Sequence, residues 1–384
     1  MSGSPIYLDY AASTPLDKRV LLAMQPYFID HFYNPSALYQ SARQVHFAYE
    51  DARHQLAMSI GAKQYEVIMT AGATESINLA INGVIGQYGG TVATSRIEHT
   101  AVVESARRHD VSWINVDTRG FITESAVQAA ISDETTLVSV GYVNNELGTV
   151  QPLRAIAQCI DNIRHDRMAR GVKQPLLFHT DASQAAGLLD ISVSRLGVDL
   201  MTLNSGKCYG PKQVGLLWAR GGIELSPLIV GGGQEKSLRA GTENVAGVIG
   251  FAEALSIAVS KRNTESRRIA QLRDTLQQKL AGIDGIVING HPKQRAPHIL
   301  HISFPRLDGE RAVFALDERG VMAATGSACA ANKGTRSSVL KAVGMSDEMT
   351  DGSLRFSLGR FTTEEEIDRA GNSIIDVINQ ERGR

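Results

Sequence analysis

Cysteine is scarce in this chain, and its scarcity limits what the protein can be. Of 384 residues only three are cysteine, namely Cys159, Cys208 and Cys329. An odd and widely spaced set gives neither a disulfide framework nor the paired spacing of a structural metal site. We therefore expect no disulfide scaffold, no metal centre and a reducing, cytoplasmic location.

Excess charge and long apolar runs are also missing. Lys and Arg number 39 against 40 for Asp and Glu, so the formal net charge is −1. This balance argues against strong direct binding of nucleic acid, because phosphate contacts need a concentrated positive field. No apolar run is long enough to cross a bilayer, and no basic-plus-apolar segment precedes Ile6. We expect no membrane span and no signal peptide.

The apolar pattern predicts an α/β fold. The composition, 43% hydrophobic and 21% charged, is that of an ordinary globular protein. Short β-rich runs alternate with helical patterns, which is typical of βαβ units in a largely parallel sheet covered on both faces. In such sheets ligands bind beyond the carboxyl ends of the strands. The runs are residues 67–70, 91–94, 137–140, 176–179, 199–202 and 214–218.

The pattern changes near residue 260, and the length also favours one large and one smaller domain. We place the large domain at residues 16–260 and a small α+β domain at residues 1–15 and 261–384. Helices are predicted at residues 36–61, 261–280 and 309–319, and a last helix starts within residues 362–366. Strands are predicted at residues 298–304 and 353–358.

Lys207 is an unusual residue for its setting. It follows a predicted strand, in a tight loop with apolar runs on both sides, where a solubilising charge is poorly placed. Asp181 ends the preceding predicted strand, and Gln184 lies three residues beyond it. A Schiff-base lysine together with an aspartate that keeps a pyridinium nitrogen protonated indicates a pyridoxal phosphate enzyme, in which Gln184 could donate to the ring oxygen. The alternative is that Asp181 caps a helix and Lys207 is a surface charge.

Three further features suit such a cofactor. Residues 71–76 are small, follow a strand and open a helix, so they could cradle a phosphate with help from the Thr74 hydroxyl. His99 could stack on a planar ring and move protons, and Asn145 could bind a ring oxygen or a carboxylate. The alternatives are a capped helix start, a structural histidine and turn chemistry.

Two residues could act on a substrate. Cys329 lies in a loop of small residues and is a candidate nucleophile, whereas Cys159 falls in a helical pattern and is expected in the core. Arg355 interrupts an apolar strand, and its planar guanidinium suits a substrate carboxylate. The alternatives are an incidental surface thiol at Cys329 and an internal salt bridge at Arg355.

Taken together and in order, these motifs resemble those of the cysteine desulfurases in the class V aminotransferase family, fold type I of the pyridoxal phosphate enzymes. The resemblance runs from residues 7–12 to residues 355–360 and the last helix. It implies a mainly parallel seven-stranded sheet in the large domain and places the cysteine loop in the small one. The loop at residues 326–329 looks like that of the group that includes iron–sulfur assembly enzymes.

The resemblance also assigns roles. Lys207 would hold the cofactor covalently, and other residues would contact it without a covalent bond. Asn145 and Arg355 would bind the substrate, L-cysteine. Cys329 would take the sulfur as a persulfide, releasing alanine, and His99 would join Lys207 and Cys329 in catalysis. Thr242 would reach the phosphate of the neighbouring subunit, which implies a homodimer. The cofactor contacts would be Ala73, Thr74, His99, Asn145, Asp181, Gln184, Asn204, Lys207 and Thr242.

The chain departs from the family's pattern beside Lys207. The family usually has Ser and His where this chain has Asn204 and Gly206. In the family, that Ser and that His both contact the cofactor phosphate. Asn204 can still donate, but Gly206 offers only its backbone N–H. We expect weaker phosphate anchoring or a compensating donor nearby. Tyr39 also stands where relatives often have His.

Other functions stay open. A selenocysteine lyase or an aminotransferase would use the same fold, but simple transamination needs no thiol at Cys329. A degenerate, non-catalytic partner is a third alternative. For a desulfurase, the sulfur-acceptor protein could serve iron–sulfur assembly, tRNA thiolation or DNA phosphorothioation, and the sequence does not distinguish these.

Overall fold

The β-rich runs form the strands of a central sheet. The computed structural model describes residues 4–326 and 336–382. Strands β2 to β8 make one seven-stranded sheet, and the remaining strands make a four-stranded sheet and a two-stranded pair. The strands are β1 Ile6–Tyr7, β2 Val67–Thr70, β3 Thr91–Ser95, β4 Val111–Ile114, β5 Thr135–Ser139, β6 Leu177–Asp181, β7 Leu200–Asn204, β8 Gly215–Ala219, β9 Val287–Ile288, β10 Ile299–Ser303, β11 Val321–Met322, β12 Ala324–Thr325 and β13 Ser353–Ser357.

The strand order explains where a ligand can bind. In the order β2-β8-β7-β6-β5-β3-β4, strands β4, β3, β5, β6 and β7 pair in parallel, and β8 runs antiparallel to both of its neighbours. The carboxyl ends of β3, β5, β6 and β7 therefore meet at one edge. This arrangement confirms the predicted α/β class with a mainly parallel seven-stranded sheet.

Helices cover both faces of the sheet, because strand residues alternate in direction and both sets are apolar. Met69 belongs to an apolar cluster that includes the helices at residues 40–59, 153–169 and 245–280, whereas its neighbour Ile68 belongs to one that includes the helices at residues 73–88 and 100–106. The helices are α1 Lys18–Met24, α2 Pro26–Ile29, α3 Gln40–Ser59, α4 Ala73–Tyr88, α5 Thr100–Ala106, α6 Glu124–Ala130, α7 Leu153–Ala169, α8 Val193–Leu196, α9 Val245–Leu280, α10 Gly309–Glu318, α11 Ser338–Ala342, α12 Asp347–Asp351 and α13 Glu364–Arg382. Among the described residues, none of the helices is both long enough and apolar enough to span a bilayer.

A second apolar core lies around the four-stranded antiparallel sheet β12-β13-β10-β9. It combines β1 with α10, α13 and the end of α9. Thr363 caps the start of α13, within the predicted range. Its hydroxyl accepts from the Glu366 N–H, while the Glu366 carboxylate accepts from the Thr363 N–H. The domain boundaries at residues 15 and 260 stay a prediction.

The predicted helix at residues 261–280 is only the second half of α9. The helix starts at Val245, where the Asn244 side chain accepts from the Gly247 N–H. Its first half, which includes Phe251 and Leu255, is buried in the first apolar core, the one beside the seven-stranded sheet. It therefore has few of the charged residues by which the sequence predicts the second half. Leu272 and Leu276 then pack in the second core.

A buried ion pair holds the loop that precedes α9. The Glu235 carboxylate accepts from both terminal nitrogens of Arg53 at 2.6 Å, from the Tyr49 hydroxyl at 2.7 Å and from the Met69 N–H at 2.7 Å. The side chains of Arg53 and Glu235 are 9% and 4% exposed. Residues 235–237 all have positive φ, which is costly for non-glycine residues. The pair therefore stabilises a strained turn that leads towards Thr242.

Replacing Glu235 with alanine should destabilise the fold, because it leaves the buried Arg53 guanidinium with only the partly exposed Glu50 as an ion-pair partner. We expect Glu235→Ala to lower the free energy of unfolding by about 3 kcal/mol. Urea denaturation of the cofactor-free protein would measure it. The control is Glu104→Ala, which breaks the exposed Arg107–Glu104 pair and should cost no more than about 0.5 kcal/mol. Equal losses in the two variants would contradict the anchoring role of Glu235.

Candidate active site

A cleft of about 280 Å³ opens at the edge where the parallel strands end. Residues at the edge of the seven-stranded sheet line it, together with Arg355 of β13 and the N-terminal segment at Ala11 and Ala12. Most of the residues that the sequence singled out come together here. They are Ala73, Thr74, His99, Asn145, Asp181, Gln184, Asn204, Lys207 and Arg355.

Lys207 reaches the cleft from the short turn after β7. This turn, Ser205–Lys207, is a single 3₁₀ turn that precedes the reversal into β8. The Lys207 Nζ donates to the carbonyl oxygens of Ala11 and Ala12, both at 2.7 Å. Two carbonyl oxygens therefore hold the amine at the cleft wall, which is a setting for chemistry rather than for a solvated surface charge.

Asp181 ends β6, next to β7, as the sequence predicts. Its Oδ1 accepts from the Ser183 N–H at 3.0 Å and from the Ser183 hydroxyl at 2.6 Å. Within residues 4–326 and 336–382, its Oδ2 has no hydrogen-bond partner. The carboxylate thus makes a local turn with Ser183 and does not cap a helix, which was the alternative interpretation. It still has one oxygen for a cationic ring nitrogen.

His99 is the N-cap of α5. Its Nδ1 accepts from the Ala101 N–H at 3.1 Å, so in the neutral ring the proton is on Nε2. Desolvation by the cleft walls lowers the pKa of His99 against the opposing effect of the Asp181 charge, and the nearby Lys207 charge acts in the same direction as the desolvation. The ring is therefore neutral at pH 7 and offers an N–H donor from Nε2.

The start of α4 is suited to an anion. Its N-cap is Gly72, which has no side chain to cap the helix and adopts φ 125°. A Cβ at Gly215 would lie 2.7 Å from the Gly72 backbone, so the two glycines allow β8 to run close to this turn. The alternative of a helix start capped by a side chain is wrong. Ala73 and Thr74 can present backbone N–H groups to a phosphate.

The turn before Lys207 corrects one expectation. The Gly206 N–H donates to the Asn204 Oδ1 at 3.0 Å, so it is not available to a phosphate as the sequence suggested. This bond leaves the Asn204 Nδ2 as the donor from this turn. The Lys212 stem passes Gly206, with its Cγ 3.8 Å from the position that a Cβ would occupy.

Arg355 lines the cleft and also makes the internal ion pair that was the alternative role. One terminal nitrogen contacts the Asp9 carboxylate at 2.7 Å, and the other donates to the Asn145 carbonyl at 3.0 Å. The side chain is only 3% exposed. Asp9 and Asn145 therefore fix the direction in which the guanidinium faces the cleft.

Two glutamates in the cleft were not singled out from the sequence. Glu98 accepts from the Ser95 hydroxyl and the Gly141 N–H, and its burial raises its pKa to about 7. Burial also raises the pKa of Glu146, against the opposing effects of the Ser337 hydrogen bond and the Arg355 charge. Their position in the sequence could have indicated them, because each glutamate is next to a predicted site residue, His99 or Asn145.

Two predicted residues are not placed in this cleft. Thr242 is exposed and does not line it. Cys329 lies outside the described residues. The described residues on either side of it adjoin the cleft, because Ser337 donates to Glu146 at 2.5 Å and a Cβ at Gly326 would lie 3.2 Å from the same carboxylate.

The arrangement of the cleft agrees with the comparisons with known proteins. Residues 6–370 match the family model for class V aminotransferases. A cysteine desulfurase IscS of Dictyoglomus turgidum is 38% identical, over 98% of this chain and 94% of the relative. A solved NifS-like protein has a TM-score of 0.89 at 30% identity, covering 98% of this chain and 100% of that one. A structure titled SspA in complex with cysteine has a TM-score of 0.79 at 34% identity, covering 93% and 100%. The chain therefore belongs to the class V aminotransferase family.

Proposed function

We propose that the protein is a pyridoxal phosphate-dependent cysteine desulfurase, which removes sulfur from L-cysteine and releases L-alanine. The observation that carries the proposal is that Lys207, Asp181 and His99 meet in one cleft at the carboxyl ends of adjoining strands. The relatives named as cysteine desulfurases, and the solved relative with bound cysteine, support this substrate and reaction.

The residues present fit the cofactor. A helix start without a capping side chain suits its phosphate, the open Oδ2 of Asp181 suits its ring nitrogen, and the Lys207 amine suits its aldehyde. Asn204, Gln184 and the face of His99 would complete the set of cofactor contacts. When bound, pyridoxal phosphate supplies an electron sink for charge that develops at the substrate Cα.

Different side chains of the protein would then bind the substrate, transfer protons and accept the sulfur. Arg355, held by Asp9, binds the substrate carboxylate, and the Lys207 amine moves the proton at the substrate Cα. His99 holds a proton on Nε2 that it can give. The Cys329 thiolate attacks the substrate sulfur, so that an S–S bond forms and the bond between the substrate Cβ and sulfur breaks. The Cβ then takes a proton to give alanine. The sulfur stays on Cys329 as a persulfide.

Removing the thiol should separate sulfur transfer from cofactor binding. We expect Cys329→Ala to keep the visible absorption of bound pyridoxal phosphate but to make alanine from cysteine at least roughly a hundredfold more slowly. Alanine release and protein persulfide are the measurements, with Cys159→Ala as the control. Full alanine and sulfide production by Cys329→Ala would contradict the persulfide step. A keto acid as the product would favour an aminotransferase, and a wild type that never develops the visible band would favour a non-catalytic partner.

We also propose that the protein acts as a homodimer. Exposed large apolar side chains concentrate in and around α1, α2 and α3, and a contiguous apolar surface usually marks an interface. Thr242 has no place in its own cleft, which agrees with its reaching the neighbouring subunit's phosphate. The exposed residues are Leu21, Leu22, Phe28, Ile29, Phe32, Leu38, Tyr39, Phe47 and Met58.

Charge placed on this surface should separate the subunits. We expect the double variant Phe28→Asp/Phe32→Asp to be a monomer by light scattering, because a dimer would bury both carboxylates without partners. It should also bind pyridoxal phosphate more weakly, since the partner's phosphate contact is lost. Phe314→Asp, on the exposed face of α10, is the control. A monomeric wild type, or a dimeric double variant, would exclude this surface as the interface.

The turn before Lys207 predicts how tightly the phosphate is held. Gly206 is not in the left-handed region, and a Cβ there would meet its nearest neighbour at 3.5 Å, so a side chain fits. We expect Gly206→His to restore a donor and lower the dissociation constant for pyridoxal phosphate about tenfold. Equilibrium dialysis would measure this, with Gly206→Ala as the control for the added Cβ. If the two variants bind alike, the missing imidazole is not what weakens the anchoring.

The persulfide sulfur would pass to an acceptor protein, and we place this transfer in the cytoplasm. Iron–sulfur assembly, tRNA thiolation and DNA phosphorothioation are the candidate destinations. Retrieval of binding partners with the persulfide-loaded enzyme would distinguish them.

A further inference from the structure

A buried histidine that is not among the proposed catalytic residues contacts Gln184 in the wall of the cleft. His298 directly precedes β10 and is 3% exposed. Its Nε2 lies 3.2 Å from the Oε1 of Gln184, which lines the cleft. The Gln184 Nε2 donates to the Ala11 carbonyl at 2.9 Å, the same oxygen that accepts from Lys207. A hydrogen-bonded path thus joins His298 to the proposed cofactor lysine.

The partners determine which atoms carry hydrogen. A carbonyl oxygen can only accept, so the Gln184 amide must turn its NH₂ towards Ala11 and its Oε1 towards His298. The atom facing that Oε1 must then be a donor, so the proton of His298 is on Nε2. Its Nδ1 is buried and has no hydrogen-bond partner within the described residues.

The ring is held in the neutral state. Burial lowers the pKa of His298 to about 3, and the charges of Arg355, Arg273 and Lys207 act in the same direction. A neutral imidazole has one N–H, and here that hydrogen is used on Gln184. Without it, among the described residues only the Ala11 carbonyl would hold the Gln184 amide in this orientation.

We propose that His298 is a positioning residue that fixes the Gln184 amide, so that its NH₂ end presents a donor to the ring oxygen of the cofactor. This inference rests on the proposed pyridoxal phosphate site. One Nε2 hydrogen of Gln184 is used on Ala11, and the second remains for the ligand. An amide turned the other way would set an acceptor against the electron-rich ring oxygen and repel it.

His301 offers a matched control for a merely structural role. It lies three residues further along, in β10, is fully buried and has a pKa that burial lowers to about 3. Its Nδ1 contacts the Asn289 side chain instead of Gln184. Replacing either histidine removes a buried imidazole, but only the replacement of His298 removes a hydrogen bond from the Gln184 amide.

The first test is a pH titration of the visible absorption band of the cofactor-loaded protein without substrate. We expect His298→Phe to raise the apparent pKa of the band by about one unit. The ring oxygen would lose the Gln184 donor and would then hold more strongly the proton that it shares with the Lys207 nitrogen. His301→Phe should change it by no more than a few tenths, and His298→Gln, which can donate again, should return it towards wild type. Equal shifts for His298→Phe and His301→Phe would overturn the proposal.

The second test needs neither cofactor nor activity. Nitrogen NMR of histidine-labelled, cofactor-free protein should show His298 as the neutral Nε2–H form, assigned by its loss in His298→Phe or, if that variant does not fold, in His298→Gln. An Nδ1–H form would overturn the proposal even if the enzyme binds pyridoxal phosphate normally. A wild type without a visible band would refute the cofactor site instead, so the two failures are distinguishable.

Discussion

The common edge at which four parallel strands end is the constraint on which the site depends. Strand β3 leads to His99, β5 to Asn145, β6 ends at Asp181 and β7 leads to Lys207. Each side chain reaches the cleft because its strand is in register with its neighbour, and each strand is apolar on both faces because helices cover both. The buried core of the sheet and the polar cleft at its edge therefore have one cause, the parallel pairing of short apolar strands.

Much of this arrangement could be predicted from the sequence, because apolar periodicity and chain order carry it. The predicted strands at 67–70 and 199–202 correspond to β2 and β7, and Lys207 lies in the predicted turn. For helix α9 the sequence predicts only the part from residue 261, since the first half is mostly apolar. Strand β4 was not predicted, because residues 111–114 alternate Val, Ser, Trp and Ile at the half-covered edge of the sheet.

What escaped prediction depends on contacts between residues far apart in the chain. Glu98 and Glu146 look like ordinary polar loop residues until burial against Gly141 and Ser337 changes their pKa values. The Gly206 N–H looked available until the fold showed that Asn204 uses it. Arg355 was weighed as either a ligand for a carboxylate or an internal ion pair, and the structure shows that these roles combine, since Asp9 orients the same guanidinium that lines the cleft.

Helix α9 joins the two apolar cores without interruption. Its 36 residues make a rod about 54 Å long, and residue 260, where the texture of the sequence changes, falls inside it. An unbroken run of backbone hydrogen bonds resists rotation at any single residue. The two cores are therefore joined here by a continuous helix and not by a flexible linker. At this connection, a rotation of one core relative to the other would have to bend the helix.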